Sequence, residues 1–71
     1  MEKNELGLSF NIEGVGFVET RLKQSLHAVK ARAGKAFHRP HVKSACVYDN
    51  TGLARLYLKK TENGEIIREE N

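Results

Sequence analysis

The sequence predicts a single small domain of the α+β class, with one helix packed on an antiparallel sheet of three or four strands in the order β-α-β-β-β. Two observations support this. Apolar and polar residues alternate over residues 6–13 and again from residue 42, which is typical of strands. Between these stretches, apolar residues recur at helical spacing. A chain of 71 residues is long enough for one domain only.

The first strand is predicted by apolar residues at every second position. These are Leu6, Leu8, Phe10 and Ile12. The closely spaced Gly14 and Gly16 then favour a turn or bulge. Phe17 and Val18 fit either a hairpin that continues the sheet or the start of a helix.

From about Thr20 the spacing becomes helical, and Thr20 is the expected N-cap. The apolar stripe comprises Leu22, Leu26, Val29, Ala33 and Ala36 or Phe37. Two ends fit the pattern. The helix can end at Gly34. Alternatively, the helix continues to Phe37 and is terminated by Pro40.

A three-stranded meander is predicted over residues 42–49, 53–60 and 65–68. Asn63-Gly64 indicates a type I′ turn between the last two strands. Residues 1–4 and 69–71 are expected to be frayed. The side chains expected under the helix are Ala45, Val47, Ala54, Leu56 and Leu58. The opposite face is expected to carry Lys43, Cys46, Tyr48, Arg55, Tyr57 and Lys59.

Positive charge is concentrated in residues 20–48, which contain seven Lys and Arg side chains and no acid, although the whole chain has a net charge of only +3. Such a block attracts polyanions. The simpler interpretation is a solvated helix face that keeps the protein soluble.

Ten residues are the predicted contacts with nucleic acid or a partner. The basic ones would track phosphates, and the two tyrosines with Arg55 would stack bases. The set is Arg21, Lys23, Lys30, Arg32, Lys35, Arg39, Lys43, Tyr48, Arg55 and Tyr57.

Catalysis and metal binding are poorly supported by the residues present. His38, His41 and Cys46 supply three of the four ligands that zinc prefers. Cys46 lies in the middle of a predicted strand, where a thiolate is not stabilised. We therefore expect no enzyme activity, no metal and no cofactor.

Residues 25–34, Tyr48 to Leu53 and Asn63-Gly64 resemble small phage and mobile-element proteins of β-α-β-β-β order, among them an anti-CRISPR inhibitor of type I-F surveillance complexes. The resemblance implies a helix whose cations meet a nucleic-acid machine or DNA, with Lys30 and Arg32 as candidate contacts. The sequence departs from the group at Val29 and in the loop of residues 38–41.

Two functions follow as hypotheses. The first is a non-enzymatic module that engages nucleic acid, or a nucleic-acid-handling complex, through the basic helix and loop. The alternative is a phage-type inhibitor or structural protein that acts by protein contact alone. No apolar run is long enough to span a membrane and no secretory signal is recognisable, so we expect a cytoplasmic location. Small domains often complete their core by dimerising, so a homodimer stays open.

Overall fold

A computed structural model describes residues 5–71 as one helix on a five-stranded antiparallel sheet. The elements follow the chain order β-β-α-β-β-β. They are β1 (Leu6–Ile12), β2 (Gly16–Leu22), α1 (Leu26–Phe37), β3 (Val42–Tyr48), β4 (Ala54–Lys60) and β5 (Ile66–Glu70). The strands are arranged in the order β2-β1-β3-β4-β5. The α+β class is confirmed, but the sheet has five strands rather than three or four.

The added strand is β2, which the sequence assigned in part to the helix. It pairs with β1 at seven successive positions, from Ile12 opposite Gly16 to Leu6 opposite Leu22. Gly14 and Gly16 both have positive φ angles, and the Val15 N–H donates to the Ile12 carbonyl over 3.0 Å. This turn reverses the chain directly into a hairpin. The predicted order β-α-β-β-β is therefore wrong by one strand.

The helix begins five residues later than predicted. Thr20 lies within β2, so it is not the N-cap. That role belongs to Ser25, whose Oγ accepts a hydrogen bond from the Ala28 N–H over 3.1 Å. The helix continues through Gly34 and ends at Phe37, so of the two predicted ends the later one is confirmed.

One face of the helix forms the core with the three central strands. Val29, Ala33 and Phe37 are buried, and α1 packs mainly on β3, with β1 and β4 beside it. The strand residues buried with them are Leu6, Leu8, Val42, Ala45, Val47, Leu56 and Leu58. The predicted helix-side set of the meander is therefore confirmed, with Ala54 only half buried. Arg55, predicted on the opposite face, instead lies beside Leu6 and Leu26, because a shift in the β3–β4 pairing leaves it as the extra residue of β4.

The β3–β4 and β4–β5 turns have the same construction. Gly52 donates to the Asp49 carbonyl over 3.0 Å, and Gly64 donates to the Thr61 carbonyl over 3.0 Å. Each glycine has a positive φ, whereas Asn63 does not. This pattern indicates a type I turn followed by a glycine bulge, so the type I′ prediction for Asn63-Gly64 is wrong.

The C-terminal residues, for which we expected fraying, are hydrogen-bonded to β4. Glu69 lies opposite Tyr57 and Glu70 opposite Leu56. Asn71 donates its backbone N–H to the Arg55 carbonyl over 3.1 Å and its side-chain amide to the Ala54 carbonyl over 3.0 Å. Residues 1–4 lie outside the described part of the chain.

We expect Leu56→Ala to lower the free energy of unfolding by about 2–5 kcal/mol, because a 1% exposed side chain would leave a cavity. Leu26→Ala should cost less, since Leu26 lies only partly buried at the edge of the core. Urea denaturation followed by circular dichroism measures both. Equal losses would show that the core is not centred under the helix as described.

We expect Gly34→Ala to raise the free energy of unfolding by about 0.5–1 kcal/mol, because alanine favours the helix. A Cβ at Gly34 meets nothing within 4 Å, so no clash opposes the gain. Gly52→Ala is the matched control. It also has open space, but its φ of +87° strains any larger residue, so this variant should be destabilised.

Candidate nucleic-acid interface

The helix covers one face of the sheet, and among residues 5–71 no element lies over the other face. We call this second surface the open face. The strand pairing orders its side chains in rows across the sheet. One row contains Phe17, Asn11, Ser44, Lys59 and Ile67. The next contains Glu19, Ser9, Cys46, Tyr57 and Glu69, and the last contains Arg21, Gly7 and Tyr48.

Three aromatic side chains share the open face. Phe17 is 79% exposed, whereas Tyr48 and Tyr57 are half buried. Two adjoining depressions of about 600 and 430 Å³ both include Ser9, Phe17 and Tyr48 in their lining. The buried Cys46 is paired with Tyr57 of β4 and lies two residues from Tyr48 along β3. The result is a shallow aromatic surface interspersed with small polar groups.

The Tyr48 hydroxyl is held in its neutral form. The neighbouring Cys46 thiol raises the pKa of Tyr48 above its ordinary value of 10.0, and partial burial raises it further, while the Ser9 hydroxyl acts in the opposite direction. At neutral pH this ring therefore adds no negative charge to the surface and keeps a hydroxyl proton to donate.

Positive charges lie at the two ends of the open face. Arg21 lines the larger depression beside the β3–β4 turn, and Lys43 and Lys59 line the smaller one. A shift in the pairing of β1 and β3 leaves Lys43 as the extra residue of a bulge. Two carboxylates, Glu19 and Glu69, share this face, so its net charge is small.

A second cationic surface lies on the helix side of the sheet, between α1 and β2. Arg32, Lys35 and Arg39 line a depression of about 450 Å³ together with Leu8, Phe10, Thr20, Leu22 and Ala36. We call it the basic groove. No carboxylate within residues 5–71 forms an ion pair with these three cations. Arg32 donates from Nε to the Gln24 side chain over 3.1 Å.

Two of the predicted cations are engaged in ion pairs. Lys30 lies 2.8 Å from Glu70, on the β5 side of the helix. Arg55 lies 3.5 Å from Asp49 and donates to the Asn71 carbonyl over 3.3 Å. Lys23 is exposed in the β2–α1 connection.

The structure therefore does not bring the ten predicted residues into one patch. Arg32, Lys35 and Arg39 meet in the basic groove, whereas Arg21, Lys43, Tyr48 and Tyr57 share the open face. Phe17 was not predicted as a site residue, and neither were Ser9, Asn11, Ser44 and Lys59. The signal was present in the alternation of Val18, Thr20 and Leu22, which places Phe17 on the face opposite the core.

The three side chains that could in principle bind zinc do not come together in the structure. His38 and His41 are exposed in the α1–β3 loop, whereas Cys46 is buried on the open face. Within residues 5–71 no three His, Cys, Asp or Glu side chains are grouped as a metal site would need. The same part of the chain contains no helix of the length and apolarity that a bilayer crossing needs.

The chain matches no protein-family model, no curated protein and no solved structure. The resemblance to small phage and mobile-element proteins therefore stays a prediction from the sequence. Functional inference depends on the two surfaces just described.

We expect the stability conferred by Asp49 to be lost in acid. Its Oδ1 accepts hydrogen bonds from Thr51 and from the Leu53 N–H, and these contacts lower the pKa of Asp49 below its ordinary 3.8. A lowered folded-state pKa adds stability at pH values above 3.8 that disappears as the pH falls through the folded-state value.

The variant Asp49→Asn keeps an acceptor oxygen and removes the charge. Its melting temperature should lie below that of the parent at neutral pH, and the difference should shrink as the pH falls below 3.8. A difference that is independent of pH would contradict the assignment.

Proposed function

We propose that this protein is a non-enzymatic, cytoplasmic module that binds single-stranded nucleic acid on the open face, with the basic groove adding long-range attraction. The observation that carries this proposal is the exposure of Phe17 beside Tyr48 and Tyr57 on a sheet face with no covering layer among the described residues. An exposed phenylalanine in a regular strand contributes little to the core. Its position suits stacking against a planar ligand.

Base stacking fits the geometry of this face. Bases stack on aromatic rings carried by sheets, and each stacked base contributes about 1–3 kcal/mol. Ser9, Asn11 and Ser44 lie between the aromatic residues, so their side chains are available for hydrogen bonds to base edges. Arg21, Lys43 and Lys59 border the same surface for phosphate contact.

The basic groove supplies charge that the open face lacks. Arg32, Lys35 and Arg39 are spaced three and four residues apart on the helix and its C-terminal loop, which places them on one side. Cations without a carboxylate partner raise the local concentration of a polyanion and accelerate its encounter. Unlike Lys30, these three cations of the predicted helix and loop form no ion pair within residues 5–71.

A second candidate is contact with a nucleic-acid-handling protein complex, as the resemblance to phage inhibitors implies. The floor of the basic groove favours it. Leu8, Phe10 and Leu22 form an apolar surface there, which a phosphate does not need and an apolar protein side chain does.

Fluorescence anisotropy with labelled single strands of DNA and RNA tests the aromatic surface. Phe17→Ala and Tyr57→Ala should each weaken binding about tenfold or more, as expected for a lost stacking contact. The slope of log K against log salt should not change, because no phosphate contact is removed. Ile66→Ala is the control, since Ile66 is 55% exposed but lies on the helix-side face of an edge strand.

Two lysines of the same helix form a matched pair for the charge contribution. Lys35→Ala should slow the association of a single strand at low salt and weaken the salt dependence of that rate, whereas Lys30→Ala should leave both unchanged because Glu70 already neutralises Lys30. If Lys35→Ala loses binding while the aromatic variants do not, nucleic acid binds in the basic groove rather than on the open face. A parent protein that binds neither DNA nor RNA, yet retains a protein partner after nuclease treatment, would favour the second candidate.

A further inference from the structure

The two edges of the sheet differ in how they are protected. Exposed edge strands invite pairing with another strand, and proteins discourage it with charges, proline, bulges or short length. The β5 edge has five residues, of which Arg68, Glu69 and Glu70 are charged. The β2 edge has seven residues, of which only Glu19 and Arg21 are charged, and it contains no proline and no irregularity in its pairing with β1.

Of the six large apolar side chains exposed within residues 5–71, three lie at the β2 edge and two lie on β5. Val15, Phe17 and Val18 are 69%, 79% and 42% exposed. The helix packs chiefly on β3, β1 and β4, so it does not shield this edge. Every residue of β2 is exposed except Leu22, which is half buried. A seven-residue strand with this composition is therefore available to a partner strand.

We propose that β2 pairs with β2 of a second copy of this chain, antiparallel about a twofold axis at Thr20, to form a continuous ten-stranded sheet. In this register Glu19 of one copy lies opposite Arg21 of the other, twice by symmetry. Val18 lies opposite Leu22 in the same way, and the two Thr20 residues face one another. Each of these cross-strand pairs is of a favourable type.

Charge complementarity selects this register over its neighbours. Centring the pairing on residue 19 places Glu19 opposite Glu19, and centring it on residue 21 places Arg21 opposite Arg21. Both put like charges together, which is destabilising. A shift to a centre between two residues pairs open-face side chains with helix-side ones, which the pleat of the sheet forbids. Only the centre at Thr20 pairs opposite charges and keeps both faces continuous.

The dimer has a consequence for the open face. The twofold axis at Thr20 runs perpendicular to the sheet, so both open faces lie on one side. The two Phe17 residues then belong to a single surface. Glu19, a carboxylate on that surface, gains a cationic partner that it lacks among residues 5–71 of its own chain.

Sedimentation equilibrium on nuclease-treated protein at low salt tests this pairing without any nucleic acid present. The parent should show twice the monomer mass with a concentration-dependent equilibrium. Glu19→Arg and Arg21→Glu should each be monomeric, because each creates two like-charge pairs across the axis. Circular dichroism should show both variants folded, since the two side chains are exposed.

The decisive measurement mixes the two variants. An equimolar mixture of Glu19→Arg and Arg21→Glu restores opposite charges at both pairs, so a heterodimer should form. The double variant Glu19→Arg, Arg21→Glu should dimerise with itself. A monomeric parent at every concentration, or a parent dimer that Arg21→Glu leaves intact, would overturn the proposal. Neither result bears on nucleic-acid binding, which is measured separately.

Discussion

The structure depends on the burial of one short helical stripe against the middle of a wider sheet. Twelve residues make a helix about 18 Å long and roughly 10 Å across, whereas five strands at about 4.8 Å spacing span nearly twice that width. Val29, Ala33 and Phe37 therefore reach the three central strands only. The two outer strands and the entire opposite face are left without cover from the helix.

This limited coverage explains where the exposed apolar residues lie. In a larger α/β domain a second layer of helices would bury the open face. Here Cys46 is buried on that face largely by its neighbours in the sheet, while Phe17 on the outer strand has no such neighbours on one side. The same geometry leaves the two edge strands, β2 and β5, almost entirely exposed. The candidate ligand surface and the candidate pairing edge are thus two results of one packing constraint.

The parts of the fold that could be predicted from the sequence are those where one periodicity acts alone. In β3 and β4 the alternation of Ala45, Val47, Leu56 and Leu58 has no competing spacing, and both strands and their buried face are as expected. At β2 two periods overlap. Leu22 lies two residues from Thr20 as in a strand and four from Leu26 as in a helix, so the sequence did not separate the two elements. The hairpin hydrogen bonds decide between them.

The candidate site was less predictable because cations that are close in sequence do not lie on one surface of the fold. The seven cations of residues 20–48 lie in one acid-free segment, but that segment spans parts of two strands, a helix and the connections between them, and the fold directs the cations to different surfaces. Lys30 faces Glu70, forty residues away, and that pairing depends on the position of β5, which local sequence does not specify. Arg21 is opposite in orientation to Thr20 because it lies in a strand, whereas in a helix it would have joined Lys35.

The two surfaces differ in what they can discriminate. The basic groove combines cations with an apolar floor, so an occupant gains by placing negative charge beside apolar surface, and the charge part of that gain weakens with salt. The open face combines aromatic rings with small hydrogen-bonding groups and little net charge. Contacts there depend on the shape and polar edges of the ligand rather than on its phosphates. Because the sheet separates the two surfaces, the proposed roles of attraction and selection fall to different residues.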